Sequence, residues 1–419
     1  MVYTKCGKPL RVSNKMLMTN CDAQKNFPVT RRCFSVVDLF CGTGALSHGL
    51  CRYSDGAFQT VAGLDLDASA CQTAAANARL AQITCGDIRT IDPQNFVVNS
   101  VASHVDMIVG GPPCQGFSSL RPSRGQSLED PRNELYKEFL RFVENLQPTI
   151  FLMENVVGLI NANGGDLLGS IRQSAAEIGY STEWKVLNAA NYGVPQKRER
   201  VFILGFRTRA FPKIKVVFPS PTHYFDGRVI GTRKKDHYVT NRSFGERAIS
   251  VWDAISDLPS LKSGEASFKY ATGPLNEYQL ERRHGVSSEL THHEAASHSQ
   301  KMLQVIRYSG SSISALPTGL VTSGYSSCYS RLASDEPSTT ITVKFTSPAS
   351  SKCIHPFDDR SITPREAARL QGFDDDFVFR GSKTQIASQI GNAVPPLFGA
   401  AFAPVLADLL SSKVSVEEF

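Results

Sequence analysis

A thiol, a carboxylate and two guanidinium groups near the ends of strand-like runs are the groups in this chain best suited to covalent chemistry. The apolar run Asp106–Val109 leads through Gly110, Gly111, Pro112 and Pro113 into Cys114. Such a run reads as an inner strand of a parallel sheet, and the prolines block helix continuation and restrict the backbone ahead of the cysteine. Cys114 is therefore mounted at a strand's carboxyl end, where open α/β sheets bind ligands. Taken alone it reads as a buried structural thiol. To act as a nucleophile it needs activation, since a free thiol of pKa about 8.5 is only a few per cent thiolate at neutral pH. Glu154 closes a second run, Thr149–Glu154, and a carboxyl group beside a reactive cysteine in a partly dry cleft can work as an acid or hydrogen-bond donor. Gln196-Lys197-Arg198-Glu199-Arg200, just ahead of the strand-like Val201–Phe206, offers cations, although alone it reads as a solvated charge run.

A second constellation reads as a nucleoside crevice. Asp38-x-Phe40-x-Gly42-x-Gly44 follows one strand-like run and opens the helix-like Ala45–Tyr53, so its glycines let a ligand approach a helix N-terminus closely. Asp65 follows the run Phe58–Leu64, and a carboxylate there can accept from a ribose diol. Asp87, after Gln82–Cys85, could meet an adenine amino group. Singly, each acid reads as a solvated loop residue; three successive strand ends read as a site. Ser47 stands where a dinucleotide fingerprint has its third glycine, which weighs against an NAD oxidoreductase and favours an adenosine cofactor without phosphates.

The elements that must hold these groups follow from the pattern between them. Helical spacing in an alanine-rich stretch through Arg79, from Asn133 to Leu146 and from Leu167 to Ile178 separates the strand-like runs. Alternation of this kind predicts an α/β fold with a doubly wound, mostly parallel sheet. Ser118–Arg132, rich in proline, glycine, serine and arginine, reads as a long exposed loop of the kind used as a lid. Past Phe206 the alternation stops, and residues 207–334 read as a smaller inserted domain. A proline-started helix near Pro364–Leu370 and an apolar helix ending at Leu410 return to the core.

Composition narrows the function classes. With 419 residues, 41% hydrophobic and 20% charged, the chain is of the soluble globular class, with no secretory signal in view, and a cytoplasmic location is expected. Its ten cysteines form no C-x-x-C pair, and His292, His293 and His298 lack clustered co-ligands, so neither zinc nor a disulfide framework is expected. The net charge of +6 is uneven: residues 1–32 carry +6, residues 207–334 carry +7 and the remainder −7. Basic peripheral parts around a mildly acidic core suggest a polyanion partner.

Six blocks then occur in order: Asp38-Leu39-Phe40-Cys41-Gly42-Thr43-Gly44, Gly111-Pro112-Pro113-Cys114-Gln115-Gly116-Phe117-Ser118, Glu154-Asn155-Val156, Gln196–Val201, Arg365–Phe373 and Gln389–Val394. Together they resemble the DNA cytosine-5 methyltransferases that use S-adenosylmethionine, over roughly residues 34–410. The resemblance implies a Rossmann-like methyltransferase fold with a basic arm at 1–33, a catalytic and cofactor-binding domain at 34–206 and 335–419, and a target-recognition domain at 207–334. It implies that the Cys114 thiolate adds to cytosine C6, that Glu154 donates at N3, that Arg200 holds O2 and that Arg198 supports the thiolate. Phe40 would face the adenine or methionine part, with Gly42 and Gly44 in the turn beneath. Asp65 would hold the ribose, Leu66 stack on adenine, Asp87 meet its amino group, and Pro113 and Asn392 close the site.

Because the reacting carbon is unreachable inside a duplex, the resemblance also implies a flipped-out base. The loop carrying Ser118, Arg121 and Arg124 would close over it, with Thr342 at the DNA backbone. Gly44-Ala45 departs from the family's paired glycines, and the basic arm has no family role. The expectation is a monomeric bacterial enzyme acting on double-stranded DNA, paired with a restriction endonuclease of the same site or acting alone, with no membrane partner. An RNA cytosine methyltransferase of the same fold lacks its Cys-Phe-Thr block here, and a non-catalytic DNA-binding regulator fits poorly with intact Cys114, Glu154, Arg198 and Arg200.

Overall fold

In a computed structural model, which describes residues 33–78, 80–98, 104–113, 134–160, 166–211, 217–225, 245–286, 289–321 and 324–412, the alternation is built around a seven-stranded sheet. The basic arm, Cys114, the loop with Ser118, Arg121 and Arg124, and much of 207–244 lie outside the described residues. In chain order the elements are β1 (Phe34–Leu39), α1 (Ala45–Arg52), β2 (Phe58–Asp65), α2 (Ala68–Asn77), β3 (Gln82–Cys85), α3 (Pro93–Val98) and β4 (Met107–Gly110). Then come α4 (Leu135–Leu146), β5 (Ile150–Val156), α5 (Asp166–Glu177), β6 (Tyr180–Asn188), β7 (Gln196–Lys197) and β8 (Glu199–Arg207). The strand order is β3-β2-β1-β4-β5-β8-β6. Every residue of β1 and β4 is buried, as expected of strands covered on both faces. Along β1, Val37 and Leu39 join the core shared with α3, α4 and α5, while Phe34 and Val36 face the opposite core, the two-residue period of a strand.

The strand order reverses between β1 and β4, and their carboxyl ends flank the crevice where such sheets take ligands. β1 to β5 pair in parallel, whereas β8 is antiparallel to both β5 and β6. Only a 3-10 turn and a two-residue strand separate β8 from β6, so the chain returns directly. The consequence is functional: the beginning of β8 lies at the carboxyl edge of β5, with Arg200 opposite Val156 and Phe202 opposite Glu154. An apolar run carries no sign of its direction, which is why the pattern alone did not distinguish β8 from its parallel neighbours.

The remaining elements are β9 (His223–Tyr224), β10 (Glu246–Arg247), α6 (Val251–Ile255), α7 (Glu277–Arg282), α8 (Gln300–Tyr308), β11 (Ser330–Arg331), β12 (Ser338–Thr339) and β13 (Lys352–Ile354). After them follow α9 (Pro364–Leu370), α10 (Lys383–Asn392) and α11 (Pro396–Ser411). A third core joins α6 and Tyr278 to α9, α10 and the phenylalanines 373, 377 and 379. Ion pairs run through it. Arg369 lies 2.6 Å from Asp375 and 3.2 Å from Asp257, Arg360 lies 2.8 Å from both Glu366 and Asp358, and Arg282 lies 3.2 Å from Asp374. These arginines are fully buried, so removing one partner would leave an uncompensated charge.

Residues 383–411 contain a window apolar enough to cross a membrane, which composition had not singled out. The stretch is broken at Ala393–Pro395, and α11 packs into the core beside α1. Gly49 and Gly399 allow that contact: a Cβ on Gly49 would lie 1.8 Å from the Pro396 carbonyl oxygen, and one on Gly399 would lie 2.3 Å from that of Leu46. Gly49→Ala is therefore expected to cost about 2–3 kcal/mol of stability. Urea denaturation measures it, and an unchanged midpoint would refute the close approach.

Candidate active site

Three neighbouring strands bring the charged groups of the first constellation to one edge. Glu154, 8% exposed near the end of β5, has Arg200 Nε 2.9 Å from its Oε1. The approach is out of line for a hydrogen bond, so among the described residues Oε1 is a buried acceptor without a hydrogen-bond partner. Its other oxygen backs onto the strand that leads to Cys114: a Cβ on Gly111 would lie 3.1 Å from Oε2. Asn155 Nδ2 donates to the Pro112 carbonyl at 2.9 Å, fixing the backbone one residue before Pro113. Sequence and structure thus place Glu154 beside the mount of Cys114.

Arg198 is 3% exposed and donates through Nη1 to the Gly391 carbonyl at 3.3 Å, while its Nε has no partner among the described residues. Burial pushes both guanidinium pKa values down; the charge of Arg200 adds to this at Arg198, and Glu154 opposes it at both. A buried and a half-buried guanidinium near one carboxylate favour a further anion or carbonyl oxygen at this edge. The contact with Gly391 also brings the end of α10 here, next to Asn392, whose exposed amide is turned to Ser388 Oγ at 3.4 Å. A Cβ on Gly391 would lie 2.5 Å from the carbonyl carbon of Thr342, so Thr342 borders the same edge.

Gln196 was quoted in the motif without a role, yet it locks the motif in place. Fully buried, it donates to the Leu370 carbonyl at 3.1 Å and to Gln371 Oε1 at 2.8 Å, and accepts from Ile341 N–H at 3.0 Å. The available signal was an uncharged amide opening a run of four charged residues.

The second constellation forms the turn beyond β1 and β2. Phe40 has φ 55°, a left-handed conformation that costs a residue with a Cβ about 1–3 kcal/mol. Gly42 and Gly44 have φ 52° and 72°, and nothing lies within 4 Å of a Cβ built on Gly42. Asp65 ties this turn to β2: its Oδ2 accepts from Gly42 N–H at 2.7 Å and its Oδ1 from Asp67 N–H at 2.9 Å. Burial raises its pKa against those hydrogen bonds. Leu66, next to it, is 70% exposed. Asp87 is turned to its own neighbour, meeting Arg89 Nε at 2.9 Å and Nη2 at 2.5 Å, which lowers its pKa.

Asp38 lies under the turn and accepts from Ser47 Oγ at 2.5 Å. Burial raises its pKa from 3.8 to about 7. Between those values the folded state binds more protons than the unfolded one, so this site costs increasing stability as pH rises and a constant amount above. Asp38→Asn keeps an acceptor for Ser47 without the charge. Its stability relative to the parent is expected to rise by about 1–3 kcal/mol between pH 4 and 7 and then level off; a difference independent of pH in paired urea titrations would contradict this.

Residues 34–406 match the C-5 cytosine-specific DNA methylase family. The chain belongs to that family. As a DNA (cytosine-5-)-methyltransferase it is similar to the type II methyltransferase M1.HphI of Haemophilus parahaemolyticus, 34% identical over 370 residues, covering 88% of this chain and 85% of that protein. The type II methyltransferase M.DdeI of Desulfomicrobium norvegicum is 32% identical over 395 residues, with 88% and 87% covered. A solved structure described as a DNA modification methyltransferase from an E. coli prophage aligns with TM-score 0.68 over 90% of this chain and 99% of that one. At 24% identity this last likeness concerns the fold alone.

Proposed function

We propose that this methyltransferase acts on a cytosine flipped out of double-stranded DNA, through a covalent bond between Cys114 and C6. The pair of buried Glu154 and half-buried Arg200 beside the Gly111–Pro113 mount carries the reading. Cytosine C5 is too weak a nucleophile to take a methyl group directly. Addition of the Cys114 thiolate at C6, with Glu154 delivering a proton to N3, converts the ring into an enamine whose electron density lies on C5. Arg200 steadies O2 as charge moves through the ring, and Arg198, buried and with its Nε unpartnered among the described residues, favours the thiolate. After C5 is methylated, removal of its proton regenerates the double bond and expels the Cys114 sulfur.

The family implies S-adenosylmethionine as the donor, and the residues fit it. Helix α1 has Gly44 as its N-cap, without a side-chain cap, and the buried Thr43 Oγ1 lacks a partner among the described residues, which suits a carboxylate at a helix N-terminus. Exposed Leu66 offers a face for adenine, and the open space at Gly42 leaves room above the turn. Phe40, Gly44, Asp65, Asp87, Pro113 and Asn392 complete the proposed cofactor set. When bound, the donor supplies an electrophilic methyl group on sulfur.

For DNA, the proposal assigns Ser118, Arg121 and Arg124 to a lid over the extruded base and Thr342 to the backbone, with 207–334 reading the target and 1–33 adding basic charge. The type II relatives support a modification role; the proposal places it in a bacterial cytoplasm, as a monomer, with a restriction endonuclease of the same specificity as its partner. Bisulfite sequencing of host DNA expressing this chain tests the function: one methylated cytosine motif is expected, and unmodified DNA would refute it.

A further inference from the structure

Two thiols flank the turn that follows β2. Cys71 Sγ in α2 donates to the carbonyl of Thr84 at 3.7 Å, one residue before Cys85 at the end of β3. Cys71 Sγ donates to the carbonyl of Asp65 at 3.5 Å, and Cys85 Sγ to that of Leu66 at 3.6 Å, so both sulfurs are pinned to one turn. Asp65 and Cys85 are also paired across β2 and β3. Cys85 is exposed and Cys71 buried. The same turn carries the carboxylate that holds Gly42 and the exposed Leu66.

We propose that Cys71 and Cys85 are an oxidisable dithiol whose disulfide disables the adenosine end of the crevice. The inference rests on the reading of that crevice as the cofactor site. The oxidant is a peroxide. The exposed Cys85 sulfur takes one oxygen from hydrogen peroxide, breaking the O–O bond, releasing water and leaving a sulfenic acid. The Cys71 sulfur then attacks Cys85; the S–S bond forms, and the hydroxide expelled leaves as a second water with the Cys71 proton. Two electrons pass from the two sulfurs to the peroxide. Burial and the charge of Asp65 push the Cys71 thiol up, and the exposed Cys85 is the sulfur that a peroxide reaches first. Bonding draws the sulfurs to about 2.05 Å and removes both S–H donors from the Asp65 and Leu66 carbonyls. The turn that holds Gly42 thereby loses two anchors at once.

The test treats the full chain with hydrogen peroxide, alkylates the remaining thiols, maps peptides by mass spectrometry and measures binding of radiolabelled S-adenosylmethionine by equilibrium dialysis. A peptide joining Cys71 to Cys85, lighter by two hydrogens, is expected, with affinity reduced by about ten-fold or more and restored by dithiothreitol. Cys85→Ser should form no cross-link and keep its affinity through the same treatment. Recovery of both cysteines as separate alkylated peptides would overturn the proposal, as would a cross-linked chain of unchanged affinity. A chain that forms the cross-link but binds no S-adenosylmethionine even when reduced would overturn the cofactor reading and the disabling effect with it, while leaving the dithiol itself established.

Discussion

Cys114→Ser is expected to lower methyl incorporation into DNA by about 10⁴-fold or more. The loss is large because no other group in the proposed mechanism raises the electron density at C5. A serine hydroxyl is a far weaker nucleophile than a thiolate, and the proposed role of the buried Arg198 and half-buried Arg200 is to stabilise an anion there, which does not ionise an alcohol. Affinity for duplex DNA and for S-adenosylmethionine should stay within a few-fold of the parent, because a single oxygen replaces sulfur. Incorporation of a tritiated methyl group, measured under single turnover beside filter binding, checks both. Activity within ten-fold of the parent would remove the covalent step.

Glu154→Gln is expected to lower the single-turnover rate by about 10²–10⁴-fold. Glutamine fills the same space and can donate a hydrogen bond at N3, yet it cannot deliver a proton, so the enamine forms without neutralisation. The change also leaves Arg200 without the carboxylate that lies 2.9 Å from it, and a buried cation deprived of its partner destabilises the fold. The two effects separate by measurement: the melting temperature reports the lost pair, and the rate per folded molecule reports the lost acid. A variant that melts early but turns over at the parental rate would make Glu154 a structural residue.

Much of this site was legible because strand ends and turn formers are local signals. The strand leading to Gly111, Glu154 near the end of an apolar run and the glycine turn at 42–44 stand where the alternation predicted. The proline-started helix α9 carries a Thr363–Glu366 capping box and begins where its sequence says. What stayed hidden depends on partners distant in the chain. Arg360, Arg365 and Arg369 look like surface charge in sequence, and only folding against Asp257, Asp358, Glu366 and Asp375 makes them core. Gln196 reads as an unremarkable amide until Leu370, Gln371 and Ile341 surround it. Cys71 and Cys85 belong to a helix and a strand, and no spacing rule joins them. The antiparallel β8, which delivers Arg200 to Glu154, depends on a chain reversal that hydrophobic period does not encode.

The covalent step is the centre of the proposed mechanism, and it can be caught. A duplex carrying the motif defined by bisulfite sequencing, with fluorine in place of hydrogen at C5 of the target cytosine, allows thiol addition and methylation but blocks the final loss from C5. Incubated with S-adenosylmethionine, the parent chain is expected to remain bound to this duplex through denaturing electrophoresis, with mass spectrometry placing the nucleotide on Cys114, and Cys114→Ser to leave it free. A chain that methylates ordinary DNA yet forms no denaturation-resistant complex with the fluorinated duplex, or forms it through another residue, would contradict the mechanism.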